Sequence, residues 1–146
     1  MSPLKSMVMK QVFYLFAVLS FVVACSGQKG IVKIEPNGNE VEQEDSVEYE
    51  LIVFDTGFET WYKLQDSPAN YRSQQYYEGW NLQYISAWNY NASHSRRQSF
   101  FEPIYGYEQG VDYGFELNHK LFYYFQYVEH VLGIEIMPNG PKGLIL

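Results

Sequence analysis

The chain has 146 residues, room for one ordinary domain and no more. Ten basic residues against 17 acidic ones give a net charge of −7, which argues against nucleic acid or anionic headgroups as electrostatic partners, since both need a cationic face. A single cysteine rules out an internal disulfide framework.

The N-terminus reads as a secretion signal. Lys5 and Lys10 are the only charges among the first 28 residues, and Val12 to Ala24 is an apolar run of thirteen with Ser20 its one clearly polar member. Thirteen residues are too short to span a bilayer, which needs about 20, but they suit a signal-peptide core. Val22-Val23-Ala24-Cys25 resembles the lipobox of bacterial lipoproteins, in which the Cys thiol is acylated and becomes the first residue. Lipidation would consume the thiol of Cys25 and so explain the odd cysteine. Ser26 stands where an inner-membrane retention signal would place Asp, which favours the outer membrane.

Removing residues 1–24 takes away two lysines and no acid, leaving 8 basic and 17 acidic residues and a charge of −9. Glu35, Glu40, Glu42, Glu44, Asp45, Glu48 and Glu50 fall within sixteen residues without one Lys or Arg. No D-x-D-x-D-G run is present, so calcium is not implied. Residues 25–46 read as an acidic, self-repelling tether, 47–137 as a globular domain and 138–146 as a loosely held tail.

Val47 to Phe54 alternates and then turns wholly apolar, which predicts a strand whose second half is buried on both sides; a shorter strand over 31–35 is a weaker expectation. Thr56 with Glu59 fits a capping box for a helix ending before Ser67-Pro68. A second helix is expected from Ser73 to Asn89, with an aromatic stripe of Tyr76 or Tyr77, Trp80, Tyr84 and Trp88. Asn91 to Gly110 reads as a long loop. Asp112 is the expected N-cap of a third helix, Tyr113 to Leu132. Its apolar side would carry Phe115, Leu121, Phe122, Phe125, Val128 and Leu132, with Gly133 as the C-cap. Ile134 to Met137 alternates as a final strand. The fold class is therefore α+β: one small domain of about three helices on a small sheet that includes an N-terminal and a C-terminal strand. Between Phe54 and Tyr127 stand 22 Phe, Tyr and Trp in 74 residues, an aromatic load able to replace disulfides in so small a core.

Ser73-Gln74-Gln75-Tyr76-Tyr77-Glu78, Trp80-Asn81, Tyr84, Trp88-Asn89, Asp112-Tyr113-Gly114, Glu116-Leu117-Asn118, Lys120-Leu121 and Tyr123 to Tyr127 together resemble a family of small lipoproteins from Bacteroidota, a domain of unknown function. The resemblance covers roughly residues 49–136 and implies a lineage, with no reaction, ligand or cofactor. Surface-exported lipoproteins of that lineage often carry acids just after the Cys. Ser26-Gly27-Gln28-Lys29-Gly30 has none, which implies the periplasmic face. Asp45-Ser46-Val47 is similar to that lineage's O-glycosylation triplet.

Chemistry-bearing constellations are sparse. Glu116 and His119 have the E-x-x-H spacing of di-iron bundles, but one copy cannot build such a site, and His130 lies about 16 Å further along the helix. Partly exposed helix histidines, and no metal, are the reading. No nucleophile elbow, S-x-x-K, H-E-x-x-H or phosphate loop occurs. The one basic cluster, with Arg96 and Arg97, is a candidate anion contact. Tyr77, Trp80, Asn81, Tyr84, Trp88 and Asn89 are a candidate glycan-stacking face, if they are not simply core and its hydrogen-bonding rim. The expectation is a lipid-anchored envelope protein, structural or partner-binding, more plausibly not an enzyme. A glycan- or peptidoglycan-binding module is the alternative and a hydrolase the third reading.

Overall fold

The computed structural model describes residues 29–36, 48–94 and 100–141. Cys25 and its lipobox, the Asp45-Ser46-Val47 triplet, Arg96 and Arg97 lie outside the described residues. Two strands, β1 (Val32–Pro36) and β2 (Tyr49–Val53), pair antiparallel with Ile34 opposite Leu51. Three helices follow: α1 (Thr56–Gln65), α2 (Gln74–Ser93) and α3 (Gly114–His130). The class is α+β, as composition and periodicity indicate.

The alternation of β1 buries Val32 and Ile34 and leaves Lys33 and Glu35 in solvent. Leu51 is buried, but Ile52 and Val53 are only half-buried and Phe54 is exposed. The expected burial of β2 on both sides is therefore corrected: an antiparallel pair can leave one face open to solvent, and here helices cover only the other. The stretch expected as a tether also divides. Residues 29–36 belong to the fold, with β1 paired to β2, and residues 37–47 lie outside the described residues.

Helix ends follow local chemistry. Asp55, not Thr56, caps α1: its carboxylate accepts from the N–H groups of Gly57 at 2.8 Å and Phe58 at 3.2 Å. A carboxylate is the better partner for the positive end of a helix. Ser73 caps α2 through its Oγ and the Tyr76 N–H. Gly133 takes φ +67 beyond α3, and the Ile134 N–H turns back to the Val128 carbonyl.

α3 is the axis of the molecule. Every residue from Leu117 to Val128 is buried except the half-buried Lys120, because α1, α2 and β2 all pack on it. The one-sided apolar face expected for α3 is thus a helix enclosed all round.

No strand forms over 134–137, and the expected C-terminal strand is corrected. Side chains take the backbone groups a ladder would use. The Glu129 carboxylate accepts from the N–H groups of Ile136 at 3.1 Å and Met137 at 3.0 Å, and the Asn91 amide donates to the Ile136 carbonyl. Further on, Gly140 passes so close to Tyr84 and Glu129 that a Cβ there would collide with the Tyr84 hydroxyl.

Segment 100–113 has no regular structure yet is firmly held. Phe100, Phe101 and Ile104 are buried, Gly30 donates to the Phe100 carbonyl at 2.8 Å, and Asn89 makes paired bonds to the backbone of Ile104. The same segment runs beside the outer edge of β1. Gly106, at φ +83, comes near enough to the Ile34 carbonyl that only a glycine fits without strain, and Pro36 closes the strand without a donor.

Candidate functional site

The aromatic stripe of α2 faces inward. Tyr77, Asn81, Tyr84 and Trp88 are fully buried, while Trp80 and Asn89 are half-buried. Positions 77, 81, 84 and 88 follow the 3.6-residue period and all meet α3 or its neighbours: Tyr84 stacks on Phe125 at 4.9 Å, and Trp88 meets Phe101 edge-on at 4.8 Å. The candidate glycan-stacking face is thereby corrected. Tyr77, Tyr84 and Trp88 are core with Trp80 packed at its edge, and the polar groups hold backbone: Trp88 Nε1 donates to the Glu102 carbonyl, and the Asn81 amide to that of Asn118.

His119 is fully buried, which corrects the expectation of a partly exposed helix histidine; His130 is exposed. Five rings surround His119, from Tyr62, Tyr71, Tyr77, Phe115 and Tyr123, with centroids 4.4–5.6 Å away. Its Nδ1 lies 2.7 Å from the Tyr62 hydroxyl, and its Nε2 has no partner among the described residues. Burial pushes the imidazole below its usual range, against the opposing pull of Asp66. Burial, then the Asp66 and Glu116 charges, push the Tyr62 phenol well above its own. The Tyr62 hydroxyl and Nδ1 share one hydrogen bond, whose direction is set by the imidazole tautomer. Glu116 points to solvent, and no group of three metal-ligating side chains occurs among the described residues.

The open space lies elsewhere. A groove of about 540 Å³ separates the first half of α2 from segment 107–112. Gln74, Gln75, Glu78, Tyr107, Gln109 and Asp112 supply its polar groups. Its walls are tied together: Gln74 donates to Glu78 at 2.8 Å and to Asp112 at 2.7 Å, and Tyr107 stacks on Tyr113 at 4.6 Å. The Tyr113 hydroxyl in turn binds the Gly106 carbonyl and the Glu108 N–H. The Gly114 N–H and then the Gln74 amide hold the Asp112 carboxyl below its usual range, and burial pushes Tyr107 up to about 12. The wall is therefore anionic at neutral pH, while the Tyr107 hydroxyl turns inward and donates to Asn118 Oδ1. Sequence patterning missed this groove, because only the turn of segment 107–112 brings its residues opposite α2.

A small α+β protein with a closed aromatic core and a polar groove between α2 and segment 107–112 is what the fold defines. The chain belongs to the family of unknown function DUF6146, whose model matches residues 13–139. No curated protein matches the chain. No solved structure matches it either.

Proposed function

We propose that the chain is a lipid-anchored cell-envelope protein of Bacteroidota, acylated at Cys25 and held at the outer membrane facing the periplasm, where its domain serves a structural or partner-binding role. No helix among the described residues is long and apolar enough to cross a membrane. What supports a binding role is the groove between α2 and segment 107–112, because its walls are preorganised by side-chain bonds and offer carboxylate and amide groups outward. Such a wall fits a cationic or hydroxyl-rich partner.

The glycan-binding alternative moves to this groove. Gln74, Gln75, Glu78 and Asp112 can pair with sugar hydroxyls, and Tyr107 lines the same wall.

Two experiments test the proposal. Metabolic labelling with an alkynyl fatty acid should mark the wild-type chain, and Cys25→Ala should abolish the label and leave the precursor unprocessed. Label that survives Cys25→Ala ends the lipoprotein reading. A photo-crosslinker at Gln75 should capture one discrete adduct that Asp112→Lys weakens and a crosslinker at Leu64 does not produce. Identical adducts from both positions would remove the groove from the proposal.

A further inference from the structure

Among the described residues, Gly30 near their N-terminal end is locked into the fold. Its N–H donates to the Phe100 carbonyl at 2.8 Å, and a Cβ on it would lie 2.6 Å from the Trp88 ring, so the backbone is wedged into the core at that point. Only five Cα-to-Cα steps separate Gly30 from Cys25. Whatever their path, five steps reach no further than about 18 Å. An acyl group on Cys25 therefore holds the start of β1 within one small-domain radius of the bilayer surface, and the acidic stretch beyond Pro36 cannot lengthen that reach.

The surface at this end has the chemistry of a membrane interface. Phe54 is 57% exposed, and its N–H donates to the Ile31 carbonyl at 3.2 Å, so the ring stands beside the first residues of β1. Tyr105, 76% exposed, stands on the other side of β1. It lines a mainly apolar groove of about 410 Å³ with Ile31, Ile34 and Pro103. Lys33 reaches over the Phe54 ring at 5.8 Å, and Lys29 pairs with Glu102 at 2.7 Å. Phenolic and phenyl rings with lysine stems are favoured at the headgroup level, where one end is apolar and the other wet. Glu35, Glu50 and Glu102 outnumber Lys29 and Lys33, so the face has no net attraction for anionic lipid. A short tether supplies the high local concentration that lets so weak a contact form.

We infer that the β1 face of the domain, led by Phe54 and followed by Tyr105, rests on the headgroup layer of the bilayer that holds Cys25. The inference rests on the acylation proposed above. It is tested with the full acylated chain in phosphatidylethanolamine–phosphatidylcholine vesicles, carrying one fluorophore on a thiol introduced by Phe54→Cys, Tyr105→Cys or Leu64→Cys. Leu64 is 78% exposed at the far end of α1. Headgroup spin-labelled lipid should quench the probe at 54 several-fold more than the probe at 64, with 105 between them. A long Gly-Ser insertion after Ser26 should bring all three to the level of 64, and raised salt should leave the order intact. Equal quenching at all three positions, or indifference to the insertion, in protein shown by mass to be acylated overturns the inference and leaves the lipid anchor standing. An unmodified Cys25 overturns both.

Discussion

The hydroxyl of Tyr62 on α1 lies 2.7 Å from Nδ1 of His119 on α3, and this contact joins two helices whose sequences are 57 residues apart. It makes a histidine whose E-x-x-H spacing with Glu116 invited a test as a metal ligand into a buried core residue.

Because burial lowers the imidazole pKa in the folded state, the unfolded chain binds the proton more tightly. The stability that follows is fully present above the ordinary histidine pKa of about 6.5 and is lost as pH falls from there towards the folded value. Chemical denaturation at pH 7.5 and pH 5.5 should show this loss. His119→Phe should flatten the dependence across that window, and an unchanged slope would mean another group titrates.

Tyr62→Phe removes the partner of Nδ1 without changing shape. Leaving a buried polar atom unpaired should cost about 1–3 kcal/mol in a urea titration. A cost near zero would show that the bond adds nothing.

Trp88→Ala should cost about 3–5 kcal/mol, since it empties the contact between α2 and Phe100, Phe101, Tyr124 and Phe125. Acrylamide should reach the half-buried Trp61 and Trp80 in the wild type and spare Trp88. Strong quenching of the Trp88 signal, isolated in a Trp61→Phe/Trp80→Phe background, would contradict its burial.

Glu129 ties Ile136, Met137 and Tyr84 to the end of α3 through three bonds. Glu129→Ala should cost about 1.5–3 kcal/mol, as bonds to a charged group do. Residues 134–140 should exchange their amide hydrogens faster while α2 and α3 stay protected. Uniform loss of protection would mean that the segment does not open on its own.

Gly30→Ala would set a Cβ 2.6–2.8 Å from the Trp88 and Phe100 rings. Overpacking of this kind should cost about 1–3 kcal/mol and lower the melting temperature. A neutral result would show that the start of β1 is less tightly wedged than its contacts imply.

The helices and β2 were legible in the chain because their signals are local. Ser73 and Gly133 punctuate them, though Asp55 rather than the expected Thr56 caps α1, and the period of Tyr77, Asn81, Tyr84 and Trp88 defines a face without saying what the face meets. An aromatic stripe beside asparagines reads equally as a sugar platform or as core with a polar rim. Only the arrival of α3 against α2 decides for the core. The same limit applies to Ile134 to Met137, whose alternation is strand-like until Glu129 and Asn91 take its backbone groups.

By itself the sequence determined an aromatic, disulfide-free α+β domain, three helices with nearly correct ends, and an N-terminus whose pattern predicts acylation at Cys25. The tertiary structure decided that α3 is enclosed on all sides, that His119 is core, that a polar groove opens beside segment 107–112, and that Gly30 is wedged against Phe100 and Trp88. Local propensity is written in neighbouring residues. Burial, by contrast, depends on which distant segments pack together, and Gly30 against Phe100 or Tyr62 against His119 are pairs that no spacing along the chain reveals.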